Sequence, residues 1–428
     1  MNNLYVIFKT KIEYLKTSSY LMQVIETYSA RILVLIIAFF TNVITTRMIG
    51  PEGRGIWALL TVIVGLGVQF GNFGIHSAIV YHLLKEPKKL PVILGNSIYS
   101  SLLLGLLANI CLFFIFNFYQ GQVTIDKSFW LLIFFAVPAN LAYLFFQNIF
   151  LGIKNIRHYN LIELANKLLI LFFTILLFLF GAINVKVLYA TTVLVMIASV
   201  FYMILYLRSI ARRTLFSWKY FKKITDYSYK LFLANIIYFL IQKSGLFIVQ
   251  SYFDIKQLGY YSVAMTLIDV LYVLSSVVYT ITFQKLAAIN DYQHKWFFTF
   301  QTLKSLALVV SVLCIFVYIG GNFIVGILYG KEFLPTVQLL HWSLPILFFS
   351  SINNILFCFL ASIAKMKFPI YASALSLLIY IALSLFLLDR DLSIYSIITA
   401  NAFCFISLFF STYIYINYYL GKNRQRLV

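Results

Sequence analysis

The chain has 428 residues, of which 62% are hydrophobic and 11% charged, and its mean hydropathy is +0.92. This composition excludes an ordinary water-soluble domain, because the chain cannot hide that much apolar surface by folding on itself. The net charge of +20 does not indicate nucleic-acid binding. The lysines and arginines lie in short segments between apolar runs, which is the pattern of membrane topology.

The chain begins with a basic stretch, residues 1–22, that precedes the first long apolar run. Leu4, Ile7 and Phe8 lie close to lysines there, which predicts a short amphipathic helix on the cytoplasmic membrane surface. A frayed basic terminus is the alternative. The apolar run that follows is too long for a signal-peptide core, so it is interpreted as the first transmembrane helix.

Twelve apolar runs are long enough to cross about 30 Å of hydrocarbon. The sequence therefore predicts an all-α polytopic membrane protein with about twelve transmembrane helices. The predicted spans are residues 24–46, 56–84, 91–118, 129–152, 158–182, 185–207, 228–253, 258–286, 296–320, 334–362, 368–388 and 393–419.

The cations divide unequally between the two sets of links. Links that follow odd-numbered spans contain seven lysines and arginines, whereas the other links and the termini contain twenty-one. Because cytoplasmic loops are enriched in these residues, both termini and the longest loop, residues 208–227, are predicted to be cytoplasmic.

The pattern of the chain repeats after six spans. Residues 50–57, after the first span, resemble residues 254–261, after the seventh. Pro138 in the fourth span and Pro345 in the tenth lie at nearly the same offset. Both prolines are candidate hinges, because a proline within a span frees a backbone carbonyl and bends the helix. A static kink that improves packing is the alternative.

The repeat divides the chain into two predicted six-helix lobes, residues 23–207 and 228–420. A basic cytoplasmic linker, residues 208–227, joins the lobes, and residues 421–428 form a cytoplasmic tail. An even number of spans per half relates the lobes by an axis along the membrane normal, which predicts a shared central cavity.

Two segments resemble a known family. The sequence from Arg47 to Gly55 is similar to the arginine-x-x-glycine-proline-glutamate-glycine-x-glycine signature of Wzx-type polysaccharide flippases. The sequence from Leu258 to Ala264 resembles the family's glycine-x-tyrosine-serine-x-alanine segment. The matching signature positions in this sequence are Arg47, Gly50, Pro51, Glu52, Gly53, Gly55 and Gly259.

The resemblance implies the fold and alternating access of the multidrug/oligosaccharidyl-lipid/polysaccharide exporter superfamily. It implies a flippase in a bacterial inner (plasma) membrane that moves an undecaprenyl-diphosphate-linked oligosaccharide to the outer leaflet, for O-antigen (lipopolysaccharide) or capsule assembly. The resemblance implies a glycan polymerase and a chain-length regulator as partners besides membrane lipids, and the protein is expected to be a monomer without nucleic acid. No cofactor is expected, while coupling to a proton or sodium gradient is left open.

One departure from the family bears on ion coupling. Many relatives carry an acidic residue in the seventh span, where this chain has Lys243-Ser244-Gly245. Coupling through that position is therefore in doubt.

Charged residues inside the spans are the candidate site, because a charge near the bilayer centre costs about 2.5–3.5 kcal/mol by insertion scales. Cations suit a diphosphate, whose oxygens accept charge-assisted hydrogen bonds. The candidate substrate-binding cations are Arg31, Lys167, Lys243 and Lys304, and the candidate gating or charge-pairing acids are Glu26, Glu163 and Asp269.

Two of these charges, Lys243 and Asp269, lie at the same predicted depth on neighbouring spans. They are predicted to pair in one state, and substrate phosphate is predicted to compete for Lys243 in another. Glu163 and Lys167 are spaced i, i+4, so mutual neutralisation on one helix face is an alternative to a substrate role. For Lys304, a side chain that extends to the membrane surface is the alternative.

The sequence contains no catalytic constellation. It has no phosphate-binding glycine loop, no cysteine or histidine cluster with metal-ligand spacing, and no extramembrane domain that could hold an active site. A transporter is therefore predicted rather than an enzyme. A multidrug antiporter of the same fold and a membrane-embedded glycan polymerase or ligase are the alternatives.

Overall fold

The computed structural model describes residues 19–118, 126–181 and 183–424. This part of the chain contains twelve α-helices, two 3₁₀ helices and no strand. The amphipathic helix predicted within residues 1–22 lies mostly outside the described residues. The α-helices are α1 Ser19–Asn72, α2 Ile75–Lys85, α3 Leu90–Phe118, α4 Lys127–Gly152, α5 Ile156–Leu179, α6 Val185–Ala211, α7 Trp218–Tyr252, α8 Ile255–Ala288, α9 Tyr292–Tyr329, α10 Thr336–Ser362, α11 Lys367–Arg390 and α12 Ile394–Arg424, and the 3₁₀ helices are Pro87–Lys89 and Lys331–Phe333.

Among the described residues, ten helical segments are long and apolar enough to cross a membrane. One of them, Arg31–Asn72 of α1, is 42 residues long, about twice what one crossing requires. A break at Gly50 divides it, so it contains residues 31–46 of the predicted first span and residues 56–72 of the second. Helix α7 contains the predicted seventh span and has 35 residues, although it is not among the ten. The predicted all-helical polytopic membrane fold is confirmed.

The chain divides into two compact units. The described residues of the first lie within 1–48, 63–120 and 124–232, and those of the second lie within 49–62 and 233–428. The segment 49–62 thus packs with the second unit, although it precedes most of the first along the chain.

Helix α4 lies at the centre of the first unit, where it packs against α2, α3 and α6. Phe145, Phe146 and Phe150 are fully buried on it. The last residue of α4, Gly152, lies so close to α2 that a Cβ there would be 2.7 Å from the Cβ of Leu83. Apolar burial and small residues at contacts, the usual means of helix association in membranes, hold this unit together.

Helix α10 lies at the centre of the second unit, where it packs against α8, α9 and α12. Two buried polar residues on it bind neighbouring helices. The hydroxyl of Ser275 in α8 donates to Ser351 Oγ at 2.6 Å, and Asn353 Nδ2 donates to the carbonyl oxygen of Phe405 in α12 at 2.9 Å. These bonds fix the rotation of α10, because each buried polar group needs its partner.

The stretch 208–227, predicted as a basic linker, is mostly helical. Helix α6 ends at Ala211 and α7 begins at Trp218. The short connection is tied to α3, because Asn96 Oδ1 accepts from the backbone nitrogen of Ser217 at 2.9 Å and Asn96 Nδ2 donates to its carbonyl oxygen at 3.1 Å. Lys223 of α7 forms an ion pair with Glu86 at 2.7 Å, and this hydrogen bond lowers the pKa of Glu86.

Candidate functional site

The signature residues, predicted as a loop, form a break within helix α1 instead. Gly50 has φ 66° and ψ −177°, outside the helical region, and Pro51 opens the second part of the helix. A positive φ favours glycine, and proline suits the first position of a helix because its missing N–H would have no partner there. The expected loop is therefore reduced to a single non-helical residue.

Gly55 and Gly259 pack against each other's helices. A Cβ on Gly55 would collide with the carbonyl oxygen of Ile255 at the start of α8, and a Cβ on Gly259 would collide with the carbonyl oxygen of Pro51. Because residues 50–57 and 254–261 are the two matching segments of the repeat, the contact is reciprocal. Two backbones this close leave room for no side chain, which explains why both positions are glycine.

Arg54 lies between these two glycine contacts and is buried, with 6% of its surface exposed. Its Nε donates to Ser262 Oγ at 3.2 Å, and one of its terminal nitrogens donates to Thr266 Oγ1 at 2.9 Å. The cation count placed Arg54 in an external link and gave it no role. Its burial could not be predicted from the sequence, because its two hydroxyl partners lie on α8, more than 200 positions away.

Lys243 of α7 and Asp269 of α8 form the ion pair expected from their depth. Lys243 Nζ lies 3.1 Å from Asp269 Oδ2, and the two side chains are 34% and 48% exposed. A pair that is only half-buried can exchange partners, because neither charge is locked in a dry interior. Lys243 is thus a cation that an anionic group could reach, and its contact with a diphosphate stays a prediction.

Two tyrosines meet at the glycine that follows this lysine by two positions. A Cβ on Gly245 would collide with the hydroxyl of Tyr261 and would lie 2.7 Å from the hydroxyl of Tyr380 in α11. Both tyrosines are buried. In the sequence, Gly245 stands out only as part of a departure from the family. In the structure, two buried hydroxyls occupy the space that a side chain at Gly245 would need.

In the first unit, two predicted site residues, Arg31 and Glu163, lie near Tyr159. Its hydroxyl interacts electrostatically with both Arg31 and Glu163, and Glu163 also interacts with Lys167. Glu163 and Lys167 do not form an ion pair among the described residues, although their spacing permits one. The mutual-neutralisation alternative is therefore not realised as a direct contact among the described residues.

The remaining predicted charges form no ion pair in the part of the chain that the structure describes. Lys304 is exposed, and its ammonium lies 4.6 Å from the ring centroid of Phe300, one turn nearer the start of α9. This geometry is that of a side chain that extends along its helix towards the membrane surface. Arg47 and Glu52 are exposed at the signature break, and the side chain of Glu26 lies outside the described part of the chain.

The two candidate hinges differ in their surroundings. Pro138 in α4 is partly buried and packs against Gly105 of α3, whose Cβ, if present, would be 2.8 Å from the Cα of Pro138. Pro345 in α10 is exposed. The two prolines therefore lie at nearly the same offset within their spans but have different environments.

Comparison with known proteins assigns the chain to a protein family. A family model described as polysaccharide biosynthesis protein matches residues 44–338, which is more than half of the chain. No match was found among curated protein sequences.

Several solved structures share the fold. The lipid II flippase MurJ in an inward closed conformation is similar with a TM-score of 0.72 and 18% identity, over 93% of this chain and 87% of that one. A multidrug resistance MATE family transporter of the MOP superfamily, in an inward-facing conformation, has a TM-score of 0.69 and 13% identity, over 92% and 98%. A MOP superfamily transporter from Pyrococcus furiosus, described by the reverse polarity of its binding pocket, has a TM-score of 0.60 and 12% identity, over 92% and 95%. The structural similarity at these low identities shows a shared fold.

Proposed function

The chain belongs to this family of polysaccharide biosynthesis proteins, and we propose from that premise that it is a lipid-linked oligosaccharide flippase. Its substrate is an undecaprenyl diphosphate that carries a short glycan, moved from the cytoplasmic to the outer leaflet by alternating access. The product serves O-antigen or capsule assembly in a bacterial inner membrane. The family match carries the proposal, because it links a transporter fold to glycan synthesis.

The charges within the membrane are consistent with a diphosphate substrate. Lys243 is half-exposed and bound to a single carboxylate, so phosphate oxygens can replace Asp269 as its partner. In the first unit, Arg31 interacts electrostatically with Tyr159, and Lys167 interacts with Glu163. Each of these groups presents a cation that an anionic headgroup would stabilise in a low-dielectric setting.

A multidrug antiporter is the second candidate, and the likeness to a MATE transporter favours it. Exporters of organic cations need acidic groups free to bind the drug. Here Asp269 is paired with Lys243, which argues against that function. The two functions predict different phenotypes for the same gene deletion.

The first experiment is a deletion strain complemented with the wild-type gene. A flippase deletion should abolish surface glycan and cause lipid-linked repeat units to accumulate in the cytoplasmic leaflet, both reversed by complementation. Normal surface glycan together with lost drug resistance would instead identify an antiporter and overturn the proposal.

The second experiment tests the Lys243–Asp269 pair within that complementation assay. Lys243→Ala should lower export about tenfold, the size of one lost charge-assisted contact. The exchange variant K243D/D269K keeps an ion pair but moves the cation to α8, so it should fold normally and still export poorly. Full export by this exchange variant would show that only the pairing matters and that Lys243 does not contact substrate.

A further inference from the structure

Arg54 is a buried cation without a carboxylate partner in the described part of the chain. Its two hydrogen-bond partners are the neutral hydroxyls of Ser262 and Thr266. The ion pairs found among the described residues do not include it. Glu332 comes close to the signature break, with Oε2 3.7 Å from where a Cβ of Gly50 would be, yet it does not pair with Arg54. A buried charge with no opposite charge is strongly unfavourable.

The two hydroxyls are arranged to accept from Arg54. Ser262 donates its own proton to the carbonyl oxygen of Gly259 at 2.9 Å, and Thr266 donates to the carbonyl oxygen of Ser262 at 2.7 Å. Each hydroxyl therefore offers only its lone pairs to the guanidinium. A guanidinium has five N–H donors, so these two bonds leave further donors for another acceptor.

A second unpaired group lies beside Arg54. The hydroxyl of Tyr329, the last residue of α9, is buried and has no hydrogen-bond partner in the described part of the chain, and it interacts electrostatically with Arg54. A buried hydroxyl without a partner is uncommon and unfavourable. One phosphoryl group would satisfy both residues, because its oxygens accept from a guanidinium in a paired geometry and from a phenol.

The packing beside Arg54 leaves no room even for a methyl group at Gly55 or Gly259. Gly55 and Gly259 bring the segment 49–62 and α8 into backbone contact on either side of Arg54. A phosphate can reach the guanidinium only after the segment 49–62 separates from α8. The loss of the two hydroxyl bonds then needs compensation, which an anion would supply.

We propose that Arg54 is a clamp operated by an anionic phosphate or diphosphate group. In the closed form Arg54 binds Ser262 and Thr266, and in the open form Arg54 and Tyr329 bind the phosphoryl oxygens of the headgroup. The inference rests on the proposed function and adds to it a phosphate site at the signature break, which the predicted topology places near the outer surface.

The test uses the full-length protein in the deletion strain and in detergent. Arg54→Gln should remain folded and lower export about tenfold, as expected for one lost charge-assisted contact. Arg54→Lys should restore part of it. Lys256→Gln removes an exposed cation from the same end of α8 and should leave export unchanged. Full export by folded Arg54→Gln would overturn the clamp while leaving the proposed function intact, since the wild-type gene would still complement the deletion.

A binding measurement separates a phosphate site from a purely structural arginine. Inorganic pyrophosphate should raise the unfolding temperature of the purified protein more than sodium sulfate at equal ionic strength. Tyr329→Phe should keep the fold and reduce this shift, and Arg54→Gln should abolish it. An equal shift in all three proteins would overturn the phosphate site.

Discussion

The two prolines at matching positions of the two halves show that equal sequence positions need not have equal roles. Pro138 cannot donate to the carbonyl oxygen of Phe134, the residue four positions earlier in α4. That carbonyl accepts from Asn109 Nδ2 of α3 at 2.9 Å instead. Gly105 of α3 packs against the proline ring itself. One neighbouring helix therefore both packs against Pro138 and satisfies the carbonyl oxygen that the proline leaves free.

Pro345 has no such support. It is exposed on α10, and among the described residues no side chain donates to the carbonyl oxygen of His341, the one that this proline leaves free. A proline in a packed and compensated bend stabilises one shape, whereas an exposed and uncompensated one leaves the helix free to bend. The comparison favours Pro345 as a hinge and Pro138 as the static kink.

The largest effect is expected from disrupting the support of Pro138. In Gly105→Val the new Cβ alone would be 2.8 Å from the Cα and Cγ of Pro138, so α3 and α4 must separate. Overpacking of this kind destabilises a fold by about 1–3 kcal/mol, which a lower unfolding temperature in detergent would report. Gly326→Val is the matched control, because no atom lies within 4 Å of the place of its Cβ. Equal destabilisation by both variants would contradict the supported-kink interpretation.

The next effect concerns transport rather than stability. Pro345→Ala restores a backbone N–H to α10 and should stiffen it, so export in the complementation assay should fall severalfold with the fold intact. Pro138→Ala is the matched variant in the other half and should change export little, because the neighbouring helix holds the bend in place. The reverse order of the two export rates would assign the hinge to the first unit.

Much of the fold follows from the sequence, because apolar length alone identifies helices that cross a membrane. The pairing of Lys243 with Asp269 also follows, since both residues lie at a similar distance from the ends of neighbouring spans. These features depend on local spacing and on one neighbouring helix. The difference between the two prolines depends on which side chains of another helix contact each one. The place of a proline within its own span does not predict those contacts.

Arg54 shows the same limit for the candidate site. It lies three residues after Pro51, where a count of charges assigns it to a link, and its burial depends on the hydroxyls of Ser262 and Thr266. The structure also shows that an i, i+4 spacing does not ensure an ion pair, as for Glu163 and Lys167. Contacts between distant parts of the chain therefore decide which charges are structural and which remain available.

The smallest effect, and the sharpest test of the comparison, concerns Asn109. Its Nδ2 satisfies the carbonyl oxygen of Phe134, but its own Oδ1 is buried without a partner among the described residues. Asn109→Ala leaves the carbonyl oxygen of Phe134 without a donor, but it also removes the unsatisfied Oδ1 of Asn109 itself. The net loss of unfolding free energy should therefore be only about 1 kcal/mol. In a Pro138→Ala background the restored N–H of residue 138 can bind the Phe134 carbonyl, so the same substitution should cost almost nothing. A double-mutant cycle from denaturation measurements would show this coupling, and strictly additive effects would mean that Asn109 does not compensate for the proline.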